Sequence, residues 1–212
     1  MLEINSNFGG KKLLLPKLFS FKYTKSLIMK RTFILIIAII LTACNCNKPV
    51  NSKAETLYNY NVEEKINDLG IELETPSKPV ANYVGAVKTG NLVFLSGKIS
   101  KDANGKLITG KLGSELSVEE GYEAARFCGI DQLSTLKAEI GDLNKVVRIV
   151  KVTGMVNSDP NFTDQSKVVN GFSDLMVEIF GERGKHARAA VGMASLPLGV
   201  ACEIEMIVEV QK

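Results

Sequence analysis

Apolar and polar residues alternate with a period of two at the C-terminal end of the chain. Five residues of the stretch 202–210 fall on the apolar side: Cys202, Ile204, Met206, Val208 and Val210. Three carboxylates fall on the opposite side: Glu203, Glu205 and Glu209. This period predicts a half-buried β-strand. A second strand is predicted before it, from Arg188 to the turn at 196–199, and we expect the two to form a hairpin with Arg188 and Glu203 on its polar face.

Upstream, the pattern predicts two long amphipathic helices and further strands. A Ser-Val-Glu-Glu sequence from Ser117 fits a capping box, and apolar residues then recur at helical spacing until Gly141. The second long helix is predicted over 164–180. Other predicted elements are a short helix at 62–69, two strands within 83–97 around a Gly90-Asn91 turn, a short strand at 106–108 and a β-branched strand at 146–156. This order indicates an α+β fold, with one mixed sheet and both long helices on one face.

An apolar run near the N-terminus has the layout of a secretory signal. Lys30 and Arg31 precede an apolar run, Phe33–Leu41, and small residues then lead to Cys44. This run is too short to span a bilayer core of about 30 Å at about 1.5 Å per residue. The sequence therefore predicts a signal peptide, with translation starting at Met29. A hydrophobic core helix is the alternative interpretation.

The segment after this run is polar and has no periodicity. Residues 45–60 are rich in Asn, Lys and Ser, which is typical of a flexible tether. We therefore expect a leader and signal peptide over 1–43, a tether over 44–60 and one folded domain over 61–212. Cys46 lies in the tether, where it either pairs with another chain in an oxidising compartment or stays a free thiol.

Composition excludes several kinds of site. The chain has one histidine, His186, so a Ser-His-Asp triad could form only there, and a His-rich metal site is excluded. The four cysteines include no Cys-x-x-Cys pair, so the sequence contains no zinc or redox motif. Much of the basic excess precedes residue 54. The folded part therefore lacks the positive charge that favours nucleic acid.

Several short stretches together resemble one known family. Asn82-Tyr-Val-Gly-Ala, Leu95-Ser-Gly97 and Val169-Asn-Gly171 precede a more specific ending: Ala187-Arg-Ala-Ala-Val, then Leu196-Pro197, then Cys202-Glu-Ile-Glu205. Their order and spacing across 82–205 resemble the RidA/YjgF family of reactive-intermediate deaminases, which older usage calls L-PSP endoribonucleases. The stretches 162–165 and 182–188 look closer to a YjgF-like subgroup.

This resemblance implies a fold, an assembly and an activity. The fold is chorismate-mutase-like α+β, and the assembly is a homotrimer with three sites at the subunit interfaces. The activity is hydrolysis of enamine and imine acids, such as 2-aminoacrylate, to keto acids and ammonia, with no cofactor or metal. The implied partners are a small carboxylate-bearing metabolite and further copies of the chain, and no nucleic acid is expected.

The resemblance also assigns roles to single residues. Arg188 matches the arginine that binds the substrate carboxylate, a task that suits a guanidinium because its fork donates two parallel hydrogen bonds. Glu203 matches the glutamate that positions the attacking water, and a carboxylate near the substrate can also take a proton from that water. Four positions match residues that line the family's pocket: Tyr83, Ser96, Gly97 and Asn170.

The same residues allow structural interpretations. Arg188 could pair with Glu203 or Glu205 for stability alone. Ser96-Gly97 could simply end a strand, and Asn170 could be an exposed helix residue.

Two further positions near Arg188 affect the candidate site. His186 is either a second polar group at the mouth of the site or a loop histidine without a partner. Ala190 stands where well-studied relatives carry a cysteine, so a thiol-dependent role is absent there.

The sequence 41–44, Leu-Thr-Ala-Cys, resembles a bacterial lipobox. This implies that Cys44 is lipidated and anchors the protein to a membrane of the cell envelope, because two or more acyl chains give stable attachment. The favoured function is therefore an imine deaminase on a tethered trimer. A non-catalytic module that captures small carboxylates or a partner protein is the alternative, and ribonuclease activity ranks last because the folded part lacks a basic groove.

Overall fold

A computed structural model of the chain describes residues 56–76 and 81–212. The predicted signal, Cys44 and Cys46 lie outside these residues. Among the helices that are described, none is both long enough and apolar enough to cross a membrane.

The described residues form one mixed five-stranded sheet. Its strands are β1 (Ala86–Thr89), β2 (Leu92–Ile99), β3 (Val146–Asn157), β4 (Ala187–Met193) and β5 (Cys202–Val210). They lie in the order β1-β2-β5-β3-β4, where β3 and β4 run parallel and the other neighbours antiparallel. The predicted α+β class with a mixed sheet is therefore confirmed.

Three α-helices accompany the sheet: α1 (Val62–Asp68), α2 (Val118–Ile140) and α3 (Gln165–Phe180). The predicted capping box is present, because the Ser117 side chain accepts from the Glu120 N–H and the Glu120 carboxylate accepts from the Ser117 N–H. Gly141 ends α2 in the left-handed conformation, with φ 80°. Both long helices bury their apolar sides against the same face of the sheet, as the alternation in β5 requires.

Two predicted strand features are wrong. The last two strands do not form a hairpin, because β3 lies between β4 and β5. β4 instead pairs in parallel with β3, which requires a crossover, and α3 with its following turn supplies that crossover. A short 3-10 turn, Pro197–Gly199, then connects β4 to β5. The segment 106–108 is not a strand either, since Leu107 makes only an isolated bridge to Lys101.

The last residues of the predicted tether pack on the domain. The hydroxyl of Tyr58 donates to the Val146 carbonyl at 2.6 Å, and that of Tyr60 donates to the Ile179 carbonyl at 2.8 Å. Arg183 donates to the carbonyls of Leu57 and Val147 at 3.2 and 2.9 Å. The folded unit therefore includes residues before position 61.

Candidate active site

Arg188 lies on the edge strand β4 and turns its side chain towards α3. Its register partner on β3 is Val152, which is buried beneath the helices, so Arg188 projects from the helix-bearing face of the sheet. Nη1 donates to Oδ1 of Asn170 at 2.9 Å and to Oγ of Ser173 at 3.0 Å. Nη2 donates to the main-chain oxygen of Ser166 at 3.4 Å. These acceptors, all on α3, fix the direction of the guanidinium.

The charge of Arg188 is not compensated within the described ranges. None of the ion pairs there includes it, so a structural pair with Glu203 or Glu205 is wrong. All three acceptors are neutral oxygens. A guanidinium has five N–H donors, and three are engaged, which leaves two for an incoming anion. Asn170 is exposed, as the alternative interpretation expected, but it also holds Arg188.

Glu203 lies on β5 and points away from the helices. Its register partner on β3 is Met155, whose neighbour Gly154 faces Val169 of α3, so Met155 and Glu203 occupy the opposite, helix-free face. Glu203 is half-buried there. Burial raises the pKa of its carboxyl, and the nearby charge of Glu205 raises it further. A carboxylate whose pKa is raised is a stronger base than an ordinary one, which suits it to taking a proton from water.

Ser96 and Gly97 lie within β2, so the interpretation that they end a strand is wrong. The register between β2 and β5 shifts between Leu95 and Lys98, which leaves Ser96 and Gly97 at an irregularity in the ladder. Gln132 of α2 stabilises this point, because its Nε2 donates to the carbonyls of Ser96 at 2.9 Å and Ile204 at 2.7 Å. The missing side chain of Gly97 leaves the space that the Glu203 carboxylate fills.

The candidate residues fall into two separate groups in one chain. Arg188 and Asn170 lie on the helix-bearing face at β4, whereas Glu203 and Gly97 lie on the helix-free face near β2. The expectation that Arg188 and Glu203 share a polar face is therefore wrong. β3 separates them by two strand spacings, roughly 10 Å, and their register positions differ by three residues, roughly another 10 Å.

Tyr83 and Ser96 belong to the Glu203 side of the molecule. Ser96 donates its hydroxyl proton to the Val84 carbonyl at 2.7 Å, which ties the segment before β1 to β2. Tyr83 precedes Val84 and is 56% exposed. A tyrosine this open has room to receive a ligand or a second chain.

His186 is not an isolated loop histidine. Nδ1 lies 2.7 Å from the Gly184 carbonyl, and Nε2 lies 3.0 Å from Oγ of Ser173, the residue that also accepts from Arg188. Burial lowers the pKa of His186; the hydrogen bond to Gly184 opposes this, and the charge of Arg188 adds to it. Ser173 was not predicted from the sequence, although it follows Asn170 by one helical turn and shares its side of α3.

The described residues contain no cluster of three or more His, Cys, Asp or Glu that could hold a metal ion. What they contain is a fixed cation on one face and a half-buried carboxyl group on the other. The first can bind an anionic substrate, and the second can move a proton.

Comparison with known proteins agrees with the fold. Residues 63–210 match the family described as "YjgF/chorismate mutase-like, putative endoribonuclease". Protein TCP17 of Trypanosoma cruzi is 46% identical over 149 residues, which cover 70% of this chain and 93% of that protein. A 2-iminobutanoate/2-iminopropanoate deaminase of Dermatophagoides farinae is 29% identical over 136 residues, covering 63% and 90%. A crystal structure of an Agrobacterium tumefaciens protein of unknown function is 40% identical, with a TM-score of 0.66 over 71% of this chain and 92% of that one. The chain therefore belongs to the YjgF/RidA family.

Proposed function

We propose that this protein hydrolyses small enamine or imine acids to keto acids and ammonia without a cofactor. The observation that carries the proposal is the state of Arg188, a guanidinium held by neutral acceptors and lacking a carboxylate partner among the described residues. An arginine prepared in this way is suited to a substrate carboxylate. The deaminase relative in Dermatophagoides farinae supports the reaction class.

The chemistry uses one proton acceptor. Arg188 binds the carboxylate of the substrate and so holds the carbon of its C=N bond in position. Glu203, ionised, takes a proton from water as the water oxygen adds to that carbon, and it returns the proton to the nitrogen. The hydroxyl proton of the resulting aminoalcohol then passes through Glu203 to the nitrogen, the C–N bond breaks, and ammonia and a keto acid leave. An enamine acid enters this sequence as its imine tautomer, after a proton moves from its nitrogen to its β-carbon. A raised pKa assists the first step, because the carboxylate of a weaker acid is the stronger base and takes the proton from water more readily.

A complete site needs two copies of the chain, because Arg188 and Glu203 lie on opposite faces within one. We propose the homotrimer that the family resemblance implies, with each site built from the Arg188 side of one subunit and the Glu203 side of the next. The helix-free face supports this assembly: Val87, Phe94 and Val191 are there and 54%, 42% and 41% exposed. Apolar side chains this open on a sheet face are typical of an interface.

The test is release of ammonia and keto acid from imino acids generated in situ by an amino acid oxidase. Arg188→Ala should lower kcat/KM by about 100-fold or more, because a charged hydrogen-bonding partner of the substrate is lost. Glu203→Gln should lower kcat by about 100-fold or more, as loss of a general base does. Glu123→Gln, at an exposed position on α2, is the matched control. Normal rates in Arg188→Ala would refute the assignment.

Subunit mixing tests the shared site directly. Arg188→Ala and Glu203→Gln chains, each inactive alone, are co-expressed with different tags and purified together. Purification through both tags keeps only mixed trimers, and in a closed trimer of two chains of one variant and one of the other, one third of the sites carry both intact residues. Activity near that level supports sites built across subunits, whereas no recovery contradicts them.

Carboxylate binding without turnover is the second candidate. It is favoured by the contacts of Arg188, because Asn170, Ser173 and Ser166 hold the guanidinium within one chain and do not involve Glu203. Calorimetry with pyruvate separates the two functions. If the wild-type protein binds pyruvate but releases no ammonia from any imino acid, the protein is a binding module.

We also propose that the chain is exported and anchored to a membrane of the cell envelope through lipid on Cys44. Support comes from the sequence alone, namely the basic pair, the apolar run and the small residues before the cysteine. Intact-mass measurement of the membrane fraction should show an N-terminus at Cys44 carrying acyl chains. Cys44→Ala should abolish the acylation, and an unmodified chain that keeps its first residues would refute the proposal.

A further inference from the structure

A chain of three hydrogen bonds leads from a main-chain carbonyl to the guanidinium of Arg188. It runs from the Gly184 carbonyl to His186, from His186 to Ser173, and from Ser173 to Arg188, with distances of 2.7, 3.0 and 3.0 Å. The chain joins the turn after α3, the helix itself and β4. The functions proposed above do not use His186, and Ser173 enters them only as an acceptor for Arg188.

The direction of each bond follows from the chemistry of its ends. A carbonyl oxygen can only accept a hydrogen bond, so Nδ1 of His186 carries a hydrogen atom and donates it to the Gly184 carbonyl. In the neutral imidazole, Nε2 then has a lone pair and accepts the hydroxyl proton of Ser173. The remaining lone pairs of the Ser173 oxygen accept from Nη1 of Arg188. His186 therefore determines that Ser173 presents an acceptor to the arginine.

Two hydroxyl groups on α2 behave differently from Ser173. Ser134 and Thr135 on α2 donate to the carbonyls four residues before them, at 3.1 Å each. This local bond is what a serine or threonine inside a helix makes when nothing competes. Ser173 makes no such bond and donates to His186 instead. Without His186 we expect Ser173 to turn towards its own helix, and Arg188 then loses one of the two acceptors of Nη1.

A serine bonded to a histidine also suggests a nucleophile, but the surroundings disfavour it. Nη1 of Arg188 donates to the same oxygen that would have to attack. Ser173 also lies in the interior of α3, where main-chain N–H groups are used by the helix and cannot stabilise an oxyanion. The bond to Arg188 is the feature that a positioning role explains.

We propose that His186 is a positioning residue that acts through Ser173 to orient the Arg188 guanidinium for carboxylate binding. The inference rests on the proposed function only in assigning a carboxylate to Arg188, and it holds for binding with or without turnover. The effect also runs in the opposite direction. A carboxylate that binds Arg188 should change the hydrogen bond between Ser173 and the imidazole of His186, because Ser173 contacts both residues.

Affinity for pyruvate, measured by calorimetry on the full chain, tests the positioning role. Ser173→Ala and His186→Phe should each weaken binding by about tenfold, the effect of losing one hydrogen bond to a charged group. The double variant should lose no more than either single variant, because both act through one bond. Ser134→Ala, which removes a helical hydroxyl outside this chain of bonds, is the matched control and should bind as the wild type does.

A second readout uses the fact that the chain has only one histidine. In protein labelled with ¹⁵N-histidine, the single imidazole should show a protonated Nδ1 and an unprotonated Nε2. Saturating pyruvate should shift the Nε2 resonance, and Ser173→Ala should abolish that shift. If His186→Phe fails to fold, Ser173→Ala alone decides the binding result.

The outcomes separate this proposal from the proposed function. Absence of ammonia release by the wild type refutes the deaminase but leaves the pyruvate measurements valid. Where the wild type turns over imino acids, Ser173→Ala should raise KM about tenfold with kcat within about twofold, since ground state and transition state lose the same contact. Unchanged pyruvate affinity in Ser173→Ala, additive losses in the double variant or a proton on Nε2 instead of Nδ1 would overturn the positioning role.

Discussion

The carboxylate of Glu203 fills the space that a side chain at Gly97 would take. A Cβ added at Gly97 would overlap Oε1 of Glu203 and also touch its Cδ and Cγ. The glycine therefore determines where the carboxyl group of the neighbouring strand can lie.

Gly97→Ala should displace the Glu203 carboxylate without unfolding the protein. The backbone at position 97 does not need the left-handed conformation, so the methyl group causes only the local overlap. We expect kcat to fall by about 100-fold, because a displacement of about 1 Å is enough for such a loss. Thr89→Ala, at the exposed end of β1, should leave both activity and melting temperature unchanged. Wild-type activity in Gly97→Ala would show that the carboxylate does not need this space.

The neighbouring carboxylate of Glu205 should affect the pH profile. Burial and then the charge of Glu205 raise the pKa of Glu203. A base must be ionised to act, so activity should rise with pH as Glu203 loses its proton. Glu205→Gln removes one of the two causes and should move this acidic limb to lower pH. Glu209→Gln on the same face is the control, since Glu209 makes its own hydrogen bond to Asn91 and is not among the causes of the shift.

Local features of this chain were predictable from its sequence, whereas contacts between distant elements were not. The alternation in β5 and the capping box at Ser117 depend on neighbouring residues, and both are present. Whether β4 pairs with β5 depends on where β3 enters the sheet, which no local pattern encodes. The predicted hairpin was wrong for this reason, and so was the shared polar face of Arg188 and Glu203.

The same limit explains what was missed around Arg188. Asn170, Ser173 and His186 come from α3 and from the turn before β4, and only the crossover brings them to the arginine. The spacing of Asn170 and Ser173 is that of one helical turn, although only Asn170 was predicted as a site residue. This spacing does not show which strand that side of the helix would meet.

Replacing Glu203 should stabilise the protein at neutral pH while inactivating it. The pKa of Glu203 is raised in the folded state, so the unfolded chain ionises more readily and its ionisation favours unfolding above the ordinary pKa of 4.5. Glu203→Gln removes this effect. The free energy of unfolding at pH 7 should therefore exceed that of the wild type, and the difference should disappear as the pH falls below about 4. Urea titrations at both pH values provide the measurement. A variant less stable than wild type at pH 7 would contradict it.

Arg183 should be important for stability, because it joins the start of the folded unit to β3. It donates to the carbonyls of Leu57 and Val147 and lies 5.6 Å above the ring of Tyr58. Arg183→Ala should lower the free energy of unfolding by about 1–3 kcal/mol, as loss of charged hydrogen bonds to main-chain oxygens does. Lys185→Ala, which removes an exposed ion pair with Glu182, should cost less than about 0.5 kcal/mol. Equal losses in the two variants would show that residues 57–60 are not held by Arg183.

His186 should make the stability of the protein depend on pH in a range where few other groups titrate. Burial is the main reason that its pKa lies below the ordinary 6.5, and the charge of Arg188 contributes. Because the pKa is depressed in the folded state, His186 of the unfolded chain takes up its proton at a higher pH than His186 of the folded protein. The stability that neutral His186 provides is therefore complete above pH 6.5 and is lost as the pH falls from there through the lower pKa of the folded state.

The measurement is the free energy of unfolding from urea titrations between about pH 7.5 and 5.5, above the range in which ordinary carboxylates titrate. As the pH falls across this range, the free energy of unfolding of the wild type should fall relative to that of His186→Phe. No other histidine can contribute, because the chain has only one. Glu203 has the opposite sign, since its raised pKa favours folding as the pH falls, and it is present in both proteins. The difference between the two proteins in how the free energy of unfolding changes with pH therefore isolates His186. The same pH dependence in both would mean that the imidazole gains a proton as easily in the folded state as in the unfolded chain.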